Sequence, residues 1–168
     1  MIHSDNPFSP QDDDRLRRFR GRLVSPVTII TAGDARAQTG LTVSSLFAID
    51  GAPPRLYAAI GPNSDLFDVV QETGRFVVHI CRQGHEGLAE VFAGLRPSPG
   101  GMFATADWEP SAWGPTLTAM PDRASCSLQT IAETGWSGIL IGAIDETSHT
   151  DLLEPLAHFR GSYRKLAD

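Results

Sequence analysis

Hydroxyl side chains gather at one place in this chain. In Gly40-Leu41-Thr42-Val43-Ser44-Ser45 three of them follow a glycine. Such a stretch offers backbone amides and Oγ groups to a polar planar ligand; a strand with one solvent-facing side has the same composition. A second place is Asn63-Ser64-Asp65, which heads an apolar run. Ser64 caps a helix there, and free N–H groups at such a start favour a phosphate. The Asp65 carboxylate opposes a phosphate unless it points away, and an ordinary N-cap reads identically. His79 lies inside a β-type run and is expected to be a hydrogen-bonded interior histidine. The five histidines are scattered, and Cys81 and Cys126 lack metal-ligand spacing, so two reduced thiols are expected. G-x-G-x-x-G after a strand, a P-loop, H-E-x-x-H and G-x-S-x-G are all missing.

The elements that must hold these residues are mostly short strands. Val27 to Thr31 is β-branched and ends at Gly33-Asp34; Gly40 to Phe47 and Leu56 to Ile60 follow, with Pro53-Pro54 between. Ser64 opens a helix containing Leu66, Phe67, Val69 and Val70, with Gly74 as its stop. Phe76 to Cys81 is the next strand and His85 to Phe92 a second short helix. Arg96 to Gly101 is a Gly/Pro-rich loop, and Trp108 to Pro115 an irregular connection. Ala124 to Ile131, Ile139 to Ile144 and Phe159 to Leu166 complete a set of six to eight strands. Residues 1–14 are expected as a flexible lead-in before a short helix from Arg15, on which Leu16, Phe19 and Leu23 share a face. Arg17, Arg18 and Arg20 form a solvated face or, alternatively, an anion site.

Composition narrows the partners. The chain has 168 residues, 41% hydrophobic, with a net charge of −6. That length suits one domain, 15–168. The negative charge disfavours nucleic acid and acidic membrane surfaces. No long apolar run and no signal-type start are present, so a cytoplasmic location is expected.

In order along the chain, Thr28 to Thr31, Leu41-Thr42-Val43-Ser44-Ser45, Pro53-Pro54, the Asn63-Ser64 helix start and Phe76-Val77-Val78 resemble the flavin reductase family. Leu88 to Gly94 and Phe159-Arg160-Gly161-Ser162-Tyr163 continue the resemblance, which runs from about Phe19 to Leu166. It implies a mainly β fold with inserted short helices, a split β-barrel of the FMN-binding type. It further implies a homodimer with FMN or FAD near the subunit interface. NADH or NADPH would deliver a hydride, and reduced flavin would pass to a separate monooxygenase. Thr42, Val43, Ser44 and Ser45 would contact the isoalloxazine and ribityl regions. Ser64, Asp65 and Leu66 would meet the phosphate through main chain and the Ser64 hydroxyl, Tyr163 would bind the cofactor at its open side, and Arg160 beside it would face the nicotinamide. Such chemistry needs the two rings held in register rather than a catalytic acid or base.

One stretch departs from the family. Where many members carry Gly-Asp-His, this chain has Thr134-Gly135-Trp136-Ser137-Gly138. Trp136 would stack on a nicotinamide, adenine or flavin ring, or else plug the barrel end and block nicotinamide. Two other functions therefore stay open: an oxidoreductase that retains FMN and takes an organic substrate beside Trp108, Trp113 and Trp136, and a flavin carrier without nicotinamide turnover.

Overall fold

β2 (Thr28–Ala32) is buried along its whole length, which explains its unbroken β-branched run. Ile30 and Ala32 face one apolar cluster and Ile29 faces another. The computed structural model describes residues 14–151 and 154–166; thirteen of the fourteen lead-in residues lie outside that range. Asp14, expected at the end of the lead-in, instead opens α1 (Asp14–Arg20). Its charge suits a helix N-terminus, and it pairs with Arg17 and Arg18. Leu16 and Phe19 on this helix are exposed, and Leu23, expected on the same face, lies beyond the helix end and is exposed too.

Seven strands form one curled antiparallel sheet in the order β3-β2-β6-β9-β10-β5-β4. These are β3 (Thr39–Val43), β4 (Leu46–Ile49), β5 (Arg55–Ile60), β6 (Arg75–Ile80), β9 (Arg123–Thr134) and β10 (Ser137–Ser148) with β2. Gly40 to Phe47 is thus not the single strand expected. Its halves pair at opposite edges of the sheet, β3 on β2 and β4 on β5. Curling brings those edges together: β3 comes against β5, and the Ala59 N–H donates to the Ser45 carbonyl at 2.8 Å. The result is a half-open barrel.

The inner cluster fills it with Phe76, Val78, Leu56, Ala58, Cys126 and Leu140. α2 (Asp65–Thr73) closes one end by burying Leu66, Phe67 and Val70. Its limits are the expected ones: Ser64 caps the start, and Gly74 at φ 68° ends it. Gly142 lets Phe76 lie flat on β10, since a Cβ there would stand 2.5 Å from the Phe76 Cζ.

Outside the barrel, α3 (Glu86–Phe92) packs on β3 and β2. Val27, Ile29, Cys81, Phe92, Leu117, Met120 and Leu156 form the second cluster beneath it. Two expectations fail here. Trp108 to Pro115 is not irregular but enters a hairpin, β7 (Trp108–Ser111) with β8 (Gly114–Leu117). Pro110 and Pro115 are opposite each other in an isolated two-stranded ribbon, where an edge tolerates a missing N–H. Phe159 to Leu166 is likewise a hairpin, β11 (Leu156–Phe159) with β12 (Ser162–Lys165), and β11 also pairs with β1 (Ser25–Pro26). The turn is Arg160-Gly161, both at positive φ, the backbone twist that a two-residue hairpin loop requires.

Candidate functional site

The ladders of β3 and β4 stop at Val43 and resume at Leu46. Ser44 and Ser45 cross the seam between, Ser44 half-buried and Ser45 exposed. The seam is therefore where the barrel presents hydroxyls outside its own strand pairing. The flanking residues are committed to structure. Val43 is buried, and its carbonyl accepts the Thr28 hydroxyl. Thr42 donates through Oγ1 to the Ala89 carbonyl of α3 at 2.6 Å.

The start of α2 is less suited to an anion. Ser64 Oγ donates to the Gly61 carbonyl at 2.8 Å and accepts from the Phe67 N–H at 3.3 Å. Leu66 has its side chain in the barrel core, leaving only its main chain for a ligand. Asp65 and Asp68 both line a groove of about 540 Å³ beside Gln38, Thr39 and Phe103. Two carboxylates in the first turn oppose a phosphate by like charge. The serine seam fits a polar ring edge; the helix start fits a phosphate poorly.

Tyr163 packs half-buried against the outer cluster, its ring edge-on to His158. Burial, then the charges of Glu90, Cys81 and Glu86, hold its hydroxyl above the usual phenol range. Thr42 thus bonds to α3, and Tyr163 packs on the cluster to which α3 contributes Ala89, Val91 and Phe92. Arg160 lies elsewhere: it lines a cleft of about 610 Å³ with Arg17, Arg18 and Arg22 of the α1 region.

Trp136 sits at the tip of the β9–β10 hairpin and is 55% exposed. It does not plug the barrel; α2 does. The other tryptophans are structural. Trp108 packs on Phe103, which packs on Phe92. Trp113 donates from Nε1 to Asp145 at 2.8 Å.

His79 is fully buried, as expected of an interior histidine. Nδ1 lies 3.1 Å from the Ile29 carbonyl, and Nε2 accepts the Leu117 N–H at 3.0 Å. That pair of contacts fixes the neutral tautomer with the proton on Nδ1. Burial lowers its pKa to about 4. Both cysteines are free and buried, and burial pushes each thiol up to about 12.

A family model described as "Flavin reductase like domain" matches residues 20–167. The chain belongs to the flavin reductase-like family. It is 27% identical to "FMN reductase (NADH) RutF" of Ancylobacter novellus over 92% of this chain and 85% of that protein. The reductase subunit HsaB of a flavin-dependent monooxygenase from Rhodococcus jostii is 27% identical, over 90% and 77% of the two chains. The solved flavin reductase PheA2 superposes with a TM-score of 0.83 at 25% identity, covering 93% of this chain and 99% of its own. These matches fix the fold as a flavin reductase split barrel and the chain as an oxidoreductase.

Sequence reasoning found the serine seam but missed its cause, the transfer of the chain between sheet edges. It preferred a solvated helix face for Arg17 and Arg18 over an anion site. Nothing local to residues 15–22 signals that Arg160 joins them.

Proposed function

We propose that this protein transfers a hydride from NADH to FMN held at the Ser44-Ser45 seam and supplies the reduced flavin to a separate monooxygenase. The observation that carries this reading is the seam itself, with hydroxyls presented where the family's flavin-contact segment falls. Relatives named as NADH-using FMN reductases and as a monooxygenase reductase subunit support the donor and the partner. FAD and NADPH are the alternative cofactor and donor.

When bound, FMN supplies the hydride acceptor. Ser44 and Ser45 offer donors and acceptors to its ring edge, with Thr42 and Val43 behind them as fixed main chain. The Thr42–Ala89 and Thr28–Val43 bonds hold that strand still, so ring register is set before the donor arrives. Ser64, Asp65 and Leu66 would lie at the flavin's phosphate end, meeting it through main chain with the Asp65 carboxylate turned away, while Tyr163 would lie near the cofactor and Trp136 and Arg160 toward its nicotinamide side.

The barrel's second end supports a homodimer. It opens in an apolar mouth of about 550 Å³ lined by Leu46, Phe47, Leu56, Val78, Ile80 and Ile144. Phe47, Ile49 and Ile80 are exposed around it, and a matching surface on a second copy would cover them. Free buried cysteines support a reducing compartment, the cytoplasm. Among the described residues no helix is long and apolar enough to cross a membrane.

The deciding experiment is an anaerobic titration of protein plus FMN with NADH and then NADPH. Flavin bleaching well above the protein-free rate is expected with NADH. FMN binding without any bleaching would refute reductase function and favour a carrier.

A further inference from the structure

In a chain of net charge −6, one cleft is strongly positive. Among the described residues, Arg17, Arg18, Arg22 and Arg160 line it, with Asp14 as the one carboxylate. Three arginines come from residues 14–22 and the fourth from the far end of the sequence, so local helix composition does not account for the convergence. Asp14 holds Arg17 at 3.2 Å and Arg18 at 2.7 Å, and Arg22 donates to the Arg18 carbonyl at 2.7 Å. These contacts orient the guanidinium groups while leaving positive charge in excess.

Arg160 carries a second observation. It is the only residue other than glycine at positive φ among the described residues, at 51°. A two-residue hairpin loop of this twist prefers Asn or Gly at that place. An arginine there is locally disfavoured, yet its backbone holds the guanidinium at the cleft, stacked over Phe159 at 5.3 Å. Arginine forks match phosphate oxygens in pairs. The other candidate phosphate position, the start of α2, is flanked by Asp65 and Asp68.

We propose that the Arg17–Arg18–Arg22–Arg160 cleft binds the phosphate groups of the nicotinamide dinucleotide. The proposal rests on the reductase reading above and adds to it the place where the donor is anchored. Tyr163 is three residues from Arg160 on the same hairpin, a span of about 10 Å in extended chain. A dinucleotide anchored by its phosphates at Arg160 therefore reaches the Tyr163 side of α3 with its nicotinamide.

The test is calorimetric titration of the full chain with ADP and with 2′,5′-ADP, at low and at raised salt. Saturable binding that weakens with salt is expected. Arg160→Gly suits the positive-φ turn and removes the whole side chain with its guanidinium. It should raise Kd at least about fivefold, the loss of one charge-assisted contact, without lowering the melting temperature. Arg17→Gln with Arg18→Gln should act in the same direction. Equal affinity in these variants, or no saturation at millimolar ligand, overturns the proposal. Inorganic pyrophosphate binding as tightly as ADP overturns the nucleotide assignment. A fall in affinity for FMN but not riboflavin in Arg160→Gly assigns the cleft to the flavin's own phosphate and also overturns it. The bleaching assay keeps the two readings apart. Arginine-dependent ADP binding without bleaching defeats the reductase reading alone, and bleaching with arginine-indifferent ADP binding defeats the cleft alone.

Discussion

Acidification loads one buried group with a proton that the fold cannot accommodate. His79 donates from Nδ1 and accepts at Nε2, tying β6 to β2 and β8. Protonation would turn the acceptor into a second donor facing the Leu117 N–H. Its pKa is depressed from 6.5 to about 4, mainly by burial. The unfolded chain therefore binds the proton first as pH falls, and stability drops between pH 6.5 and 4. The linkage relation puts the loss at about 1 kcal/mol near pH 5.5 and about 2–3 kcal/mol near pH 4.5. His79→Gln supplies the control, because its amide also offers one donor and one acceptor but does not titrate. Urea unfolding of both proteins across about pH 7.5 to 4.5 isolates the histidine from the carboxylates common to both. Wild type should be the more stable at neutral pH and lose that advantage on acidification. A stability difference that stays constant over the whole range would refute the reasoning.

The close approach of Phe76 to Gly142 sets another expectation. Gly142→Ala should destabilise by about 1–3 kcal/mol in urea unfolding, the usual cost of overpacking, and Phe76→Leu in the same chain should recover part of it. Trp136→Ala, at an exposed hairpin tip, should leave stability within about 0.5 kcal/mol while raising the KM for the dinucleotide more than the Kd for FMN. Unchanged nicotinamide kinetics would mark Trp136 as scaffold.

Local chemistry made much of this fold legible. The capping Ser64 and the stop at Gly74 act within a few residues, so the limits of α2 could be read directly. The unbroken run in β2 and the alternation in β5 likewise follow from whether one or both faces are covered. What failed depended on pairing between distant segments. Ser44 and Ser45 differ little in type from Thr42, yet the partners of β3 and β4 divide the stretch at them. Arg160-Gly161 hides a hairpin turn because arginine is not a turn residue by type. The arginine cleft was only half legible for the same reason: Arg17, Arg18 and Arg22 are neighbours in sequence, but Arg160 joins them only after β11 and β12 fold back beside α1.

The strand order also bears on how the chain is made. β2, β3 and β6 can pair as soon as they exist, and so can β4 with β5. Both fragments precede the β9–β10 hairpin, which alone joins β6 to β5. Until Ser127 of β9 has emerged for β6, and Ala143 of β10 for β5, each strand exposes an unpaired edge rich in apolar residues, a template for unwanted strand addition. The hairpin is thus the keystone of the arch, and the nascent protein is at its most aggregation-prone just before it is set.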